Sequence, residues 1–566
     1  MKSRTKKARR SHWFQKQFTP KEEVFKAPVF ENLEERQLMS NTMLVSTNLS
    51  EIVSTASDVD DIRVNPRNGD RYANTVAAGA TPFNDVLKHS KFKREPWAGN
   101  KFVASASILG GSGAYTLSAN GTGTLKVEQA SGGNFLGGTK NISFSGSGRT
   151  NRRLNIGGGS ARLARFTITS GNLSNIKLVK NGVSGTFDNA YTNDLSSFAS
   201  LRFMDWAQIN HNKTSSWRDR TTTNDSQGHE VRRGATVGDS RKAGVALENM
   251  IDLANKTNKN PWFTVPTRAN PDYIKQMAQT IKNRLRGNLK FFVEYSNETW
   301  NSEFSAYHYV NAEGARRSWG SGPAAGNRFV AHQSANIWKI FNDALGNQRS
   351  RMIKVMGSKA STAAVGEARL AALASGTYNR HGIKADVLAI APYFGGVAAN
   401  KQVNWRALRQ SNGKYRQVFN GLKGSFNRLN RWQKASHILT EANRSLESTT
   451  STDSIDWNTG RVVQDTRVSV RQAVRGNKTV ANRHNVHLVT YEGGQHIVGD
   501  RGAENSEVLT RALVDANRSS TMRTIYNRYL NILAAEGVSL YSQFNHVAKP
   551  GKWGSWGMME NQNDTG

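Results

Sequence analysis

Two different spacings of apolar residues divide this chain. From about residue 60 to 185, apolar and polar positions alternate in runs of five to seven residues, broken by Gly, Ser, Asn and Thr, as in AYTLSANGTGTLKVEQASGG, KNISFSGSG, RRLNIGGG, ARFTITSG and NIKLVKNG. Period two with turn residues at short intervals predicts an antiparallel β-sandwich. From 186 to 566, β-rich apolar runs alternate with stretches such as GVALENMIDLANKT and NPDYIKQMAQTIKNRL, whose apolar residues recur every three or four positions. That pattern predicts strand–helix units around a parallel sheet. The predicted strands are 200–206, 261–266, 288–298, 351–357, 385–394, 486–492 and 538–544. NIKLVK, 175–180, is taken as the missing first strand, which brings the count to the eight that close a barrel.

Two segments depart from this alternation. Residues 394–486 exceed what one crossover needs, and SHILTEANRS within them has helical spacing. Glu441 there follows an apolar run and is a reserve nucleophile. Residues 1–55 open on a basic stretch, MKSRTKKARRSHWFQKQF, without the apolar core of an ordinary signal peptide. No run of about 18 apolar residues occurs, so no transmembrane helix is predicted.

Charge changes the picture more than length does. The 566 residues include 77 Lys and Arg against 43 Asp and Glu, a net +34 of which only +5 lies in the first fifty. A body of that sign attracts anions, so a polysaccharide partner, neutral or carrying sulfate or uronate groups, fits it. Neither a recognition-helix pattern nor an Arg-rich repeat is present beyond the leader, which argues against a specific nucleic-acid ligand. Zero cysteines exclude disulfides, thiolate metal sites and cysteine nucleophiles. Nucleophile-elbow, zinc-protease, Walker and dinucleotide motifs are missing too, and no cofactor or metal is expected.

The chemistry concentrates at two strand ends. NLKFFVEYSNETWN, 288–301, runs into Asn297 and Glu298, and VHLVTYEGGQH, 486–496, ends on Glu492 before two glycines. A barrel presents its functional side chains where its strands end. A pair of carboxyls there is the equipment of glycoside hydrolysis, in which one releases the leaving group as an acid and the other attacks the anomeric carbon. Arg202 at the second strand is expected to hold Glu492 ionised, while burial beside Trp300 raises Glu298. Tyr491 and Gln495 flank Glu492, and His496 is a candidate sugar contact. Trp206, Trp217, Trp262 and Trp300 are candidate stacking platforms. Asp205 and Asp219 are candidate substrate or calcium ligands, with pairing to Arg202, Arg218 or Arg220 the plainer account.

The fourth-strand Asn297–Glu298 pair and the seventh-strand Glu492 resemble clan A glycoside hydrolases, which are (β/α)8 TIM-barrel enzymes. That resemblance covers roughly residues 175–560. It implies a retaining hydrolase of a polysaccharide or oligosaccharide, with Glu298 as acid/base and Glu492 as nucleophile. It further implies that Arg202 hydrogen-bonds the nucleophile, Asn297 holds a sugar hydroxyl, and Tyr393 orients Glu492. An aromatic after the eighth strand, Phe544, Trp553 or Trp556, would floor the cleavage subsite. LRFMDW, EYSNETWN, YEGGQH and GSWG also resemble bacterial proteins labelled cellulose-binding, so a glycan-binding surface protein without catalysis is the alternative. VFENLEERQLMS, 29–40, resembles the LEPRxLLS-type motif of planctomycete exported proteins at Leu33, Glu34, Arg36, Leu38 and Ser40, with Glu35 and Met39 departing from it. It implies export to the surface, periplasm or medium.

Overall fold

The computed structural model describes residues 43–49, 83–88, 92–95, 98–107, 112–131, 136–157, 163–210, 212–225, 227, 244–548 and 550–560. The export-like motif at 29–40 lies outside these. Eight parallel strands form a closed barrel: Leu44–Asn48, Ser200–Arg202, Asn260–Val265, Phe291–Tyr295, Met352–Gly357, Val387–Ile390, His487–Thr490 and Val538–Gln543. Helices such as Leu247–Thr257, Pro271–Arg284, Gly322–Leu345, Val470–Arg483 and Ser520–Ala535 connect them. The protein is an α/β barrel with an additional antiparallel β domain.

Seven strands fall where the apolar runs predict them, and the first does not. NIKLVK belongs to Ser174–Lys180, which pairs antiparallel with Gly113–Asn120 in the β domain. The first barrel strand is LVSTN, 44–48, paired with Ser200–Arg202 on one side and Val538–Gln543 on the other. It lies inside the stretch read as leader, because Ser46, Thr47 and Asn48 interrupt its apolar character. All five residues are nevertheless buried, as a parallel strand covered on both faces must be. Ser174–Lys180 has the half-exposed pattern of a sheet with one solvated face.

The β domain is therefore inserted between the first and second barrel strands, rather than preceding the barrel. A five-stranded sheet, in the order 93–95, 101–107, 163–171, 123–131 and 140–144, accompanies a three-stranded sheet in the order 149–156, 113–120 and 174–180. Tyr115, Leu117, Leu125, Val127, Phe144, Leu154, Phe166 and Leu178 form the core between them. The insertion leaves and re-enters beside Phe83 and Phe187, whose rings stack 5.5 Å apart and whose backbones form an isolated antiparallel bridge.

Residues 394–486 contain two antiparallel hairpins, Val403–Arg409 with Tyr415–Leu422 and Thr450–Ile455 with Val462–Arg467, and the helix Arg431–Arg444 between them. Glu441 lies on that helix, ion-paired to Lys401 at 2.5 Å and Arg444 at 3.3 Å. It stands on no barrel strand and has counter-charges of its own, which removes it as a nucleophile.

Parity along each strand decides what faces the barrel axis. Leu44, Trp262, Phe292, Ile353, Val355, Val387, Ala389, Val489, Tyr491 and Leu540 form one apolar cluster inside the barrel. Val45, Leu201, Phe263, Phe291, Val293 and Leu488 belong to the separate cluster between strands and helices. The same parity turns Asn48, Arg202 and Glu294 inward.

A chain beginning after residue 50 lacks the first strand and exposes two unpaired barrel edges. Thermal unfolding followed by circular dichroism is expected to lose its cooperative transition in that truncation, and a native-like transition would contradict the strand assignment.

Candidate active site

At the C-terminal ends of the strands one guanidinium gathers four side chains. Arg202 is fully buried and donates from Nη1 to Asn48 Oδ1 at 3.0 Å and to Glu492 Oε1 at 3.0 Å. From Nη2 it donates to Glu294 Oε2 at 2.8 Å and Asn297 Oδ1 at 2.9 Å, and Nε reaches Glu294 Oε2 at 3.2 Å. The indole of Trp262 donates to the same Glu294 oxygen at 2.9 Å. A planar fork with five donors suits this convergence as a lysine would not. The rings of Tyr491 and Trp262 lie 5.0 and 5.5 Å from the guanidinium carbon.

The two strand-end glutamates each receive a tyrosine hydroxyl. Tyr393 donates to Glu492 Oε2 at 2.8 Å, and Tyr491 donates to Glu298 Oε1 at 3.0 Å while Asn301 Nδ2 donates to Glu298 Oε2 at 2.9 Å. Tyr491 thus reaches from the seventh strand across to the carboxyl of the fourth. Glu298 has φ +40° and Ser296 +58°, left-handed values that cost a non-glycine residue on the order of 1–3 kcal/mol. The turn is held by Ser296 N–H to Val265 O at 2.9 Å, Asn301 N–H to Glu298 O at 2.8 Å and the Thr267–Ser296 hydroxyl contact at 2.7 Å.

Burial dominates the electrostatics. It pushes Glu298 above the usual carboxyl range and Glu492 up to about 8, with repulsion from Glu298 and Asp205 adding to the rise at Glu492. Arg202 bonds Glu492 as expected and opposes that rise, but it shares its charge between Glu492 and Glu294, and burial is the larger influence. Burial also raises Tyr393 and Tyr491 well above ordinary phenols, so both stay hydroxyl donors. Asp205, just beyond the second strand, is pushed up to about 7 by burial. His496 is lowered, again by burial, and is neutral at pH 7.

The aromatic candidates separate by position. Trp556 lies in a cluster with Tyr393, His496 and Phe544, at centroid distances of 6.3, 5.1 and 5.8 Å. Trp553 is 63 % exposed outside it and carries Lys552 over its ring. Trp206 and Trp262 are fully buried core residues, and Trp217 packs on Tyr273 and Arg220. Trp300 is half-buried beyond Glu298. Asp219 approaches Arg218 at 3.8 Å. Gln495 ties the Glu492 loop to the Trp556 loop through Ser555 O at 2.5 Å. A Cβ on Gly493 would lie 2.5 Å from Tyr529 Oη and 2.8 Å from Tyr541 Cε2. Close packing of the seventh strand's exit on these rings requires that glycine.

Three participants are missing from the sequence reading. Glu294 was visible as a carboxylate inside the apolar run FFVEY, four residues before Glu298. Asn48 carried no signal, since its strand was read as leader. Arg369 is a buried cation that donates to Thr299 Oγ1 at 2.8 Å, Gly357 O at 2.5 Å and Asn327 Oδ1 at 3.0 Å. It clamps the loop after Glu298 onto the end of the fifth strand. No group of three or more His, Asp or Glu side chains suited to a metal occurs among the described residues.

No family model and no curated protein matches this chain. Among solved structures it is similar to a Bacteroides uniformis beta-glucuronidase, at 9 % identity and TM-score 0.25 over 82 % of this chain and 45 % of that one. The match spans less than half of the glucuronidase. A Trichoderma harzianum beta-glucosidase double mutant aligns at 10 % identity and TM-score 0.31 over 65 % and 80 % of the two chains. The Thermotoga maritima beta-glucosidase bound to castanospermine aligns at 12 % identity and TM-score 0.20 over 54 % and 76 %. At such values the functional reading rests on the geometry of the mouth.

Replacing Arg202 by Met leaves buried carboxyls without their counter-charge and is expected to cost about 3–5 kcal/mol at neutral pH. Arg202 lowers the proton affinity of Glu492, so its removal raises that affinity further. The deficit should therefore shrink as pH falls and Glu492 takes up its proton, and grow as pH rises. Urea denaturation at pH 5 and pH 8 checks both magnitude and sign; equal losses at the two values would contradict the account.

Proposed function

We propose that this protein is a retaining glycoside hydrolase acting on a polysaccharide or oligosaccharide, with Glu492 as nucleophile and Glu298 as acid/base. One observation carries the reading. Two carboxyls stand at the ends of the fourth and seventh barrel strands, one bonded to a guanidinium and the other only to neutral donors. Double displacement needs the pair to hold one proton between them. When it does, the negative charge is better placed on Glu492, which accepts from Arg202, and the proton on Glu298. The protein groups bonded to Glu298 are all donors, so its proton is left for a ligand oxygen.

In the first step Glu492 attacks the anomeric carbon and forms a glycosyl ester. The glycosidic C–O bond breaks, and the Glu298 proton goes to the leaving oxygen. In the second step Glu298, now ionised, takes a proton from water, whose oxygen displaces Glu492 and restores both carboxyls. Tyr393 and Arg202 keep Glu492 aimed. Asn297, fixed by Arg202 and by its own Nδ2 donation to Asn210 at 2.9 Å, stands beside the acid where a sugar hydroxyl would bind. His496 and Trp556 offer ring surface next to Tyr393, and Trp300 does so beside Glu298. Trp553 is too far out on the surface to share that role. Export, as the segment 29–40 suggests, would bring the enzyme to an extracellular or cell-surface glycan.

Incubation with a panel of 2-deoxy-2-fluoro glycosyl fluorides, followed by peptide mapping, is expected to place an adduct on Glu492. A folded protein with no adduct and no hydrolysis across neutral and anionic glycans would instead be a glycan-binding protein. Glu298→Gln should lower kcat/KM by about 10²–10⁴-fold, with Glu492→Gln lower still; near-normal hydrolysis by either variant overturns the assignment. Because both carboxyls are raised, kcat/KM should climb with pH through a first ionisation above the usual value of about 4.3 and fall after the second. An acid limb centred at or below that value would contradict the electrostatics described.

A further inference from the structure

Lys359 occupies an unusual position for a cation. It follows the fifth barrel strand, where Ser358 N–H still bonds Ala389 O at 2.8 Å and so holds the backbone in the barrel wall. The side chain is half-buried, and among the described residues it has neither ion pair nor hydrogen bond. Its ammonium lies 5.4 Å from the ring centroid of Trp300, two residues beyond Glu298. A lysine covers apolar surface with its stem while its ammonium stays open to solvent or to a ligand. Here an aromatic face is its neighbour, a contact comparable to an exposed ion pair that leaves the charge without a counter-ion.

The second cation of this sector is also without a carboxylate. Arg369 is buried between the fourth and fifth strands, and its three partners, Thr299, Gly357 and Asn327, are neutral. Burial lowers its pKa only to about 10, so it is charged at pH 7. Arg202, in contrast, is matched by Glu294 and Glu492. Among the described residues, the cation Arg202 is thus directly ion-paired, whereas Arg369 and Lys359, between the fourth and fifth strands, carry no direct ion pair, within a chain of net +34. A low-dielectric rim focuses such a field on a ligand.

We propose that Lys359, held over Trp300, reads an oxyanion on the sugar next to the acid/base, and that the substrate is an anionic glycan bearing a carboxylate or sulfate group. This rests on the glycosidase reading and adds the class of substrate to it. Arg369 acts at a distance as a positioning residue, since its donors are spent on the protein. The ammonium offers three hydrogens in a single charged contact, which fits either oxyanion without distinguishing them.

The test uses the full-length protein and matched polysaccharide pairs: agarose with its sulfated counterpart, and xylan with and without glucuronic acid side groups. Lys359→Met keeps the stem over Trp300 and removes the charge. The anionic member of at least one pair should be cleaved preferentially. In Lys359→Met its kcat/KM should fall by about tenfold to a hundredfold, with the neutral partner changing by less than about threefold, and Lys359→Arg should restore most of the loss. The sulfate and uronate arms tell which oxyanion is read. Preference for the neutral member, or equal losses on both members in Lys359→Met, overturns the proposal while leaving the glycosidase intact. Absence of hydrolysis on every glycan, together with no glycosyl adduct, removes the underlying reading and this inference with it.

Discussion

The buried guanidinium of Arg202 is the constraint on which the mouth of this barrel depends. An ion with no access to water must have its charge and its donors satisfied by the protein. Arg202 meets that demand with four side chains from three strands or their exits: Asn48 from the first, Glu294 and Asn297 from the fourth, and Glu492 from the seventh. Each bond fixes a residue of the proposed catalytic pair or one beside it. Satisfying one cation therefore pre-arranges the site before any ligand arrives.

The arrangement also explains why two buried carboxyls at one barrel mouth remain distinct. Burial raises both, and repulsion keeps a proton with the pair. What separates them is the kind of donor each receives. Glu492 accepts from a permanent cation and a tyrosine, whereas Glu298 accepts from an amide and a tyrosine. The left-handed turn at Ser296 and Glu298 brings the Glu298 carboxyl to Tyr491, and Arg369 braces that turn through Thr299. Strain in the backbone and an unpaired buried cation behind it are costs borne at the same place, where they position one side chain.

Legibility in the sequence followed burial. Seven barrel strands are continuous apolar runs because both of their faces are covered, and their order put Glu298 and Glu492 on the fourth and seventh. The eighth member of the ring eluded this logic. LVSTN is buried although it holds Ser, Thr and Asn, because their polar groups find partners inside the barrel: Ser46 Oγ donates to Ser200 O at 2.9 Å on the adjacent strand, and Asn48 Nδ2 to Tyr491 O at 2.8 Å beyond the seventh. Because LVSTN takes the place expected of NIKLVK, ahead of residue 200 in both cases, the count of the later strands is unchanged. The roles of Glu294 and Arg369 were hidden for a related reason, since a single charged residue in an apolar run looks the same whether its partner is solvent or a group far away in sequence.

What the sequence by itself determined is the periodicity: period two for the β domain, strand–helix alternation for the barrel, and the residues standing at each strand's end. Those follow from local geometry, which repeats every few residues and is written in neighbouring positions. Only the tertiary structure decided that the β domain interrupts the barrel, that Asn48 joins the site, that Tyr491 reaches across to Glu298, and that burial outweighs Arg202 at Glu492. These depend on contacts between residues far apart in the chain, such as Asn48 and Tyr491, 443 positions from each other, and on the exclusion of water from the place where they meet. Desolvation is a property of the assembled neighbourhood, and no stretch of chain carries it alone.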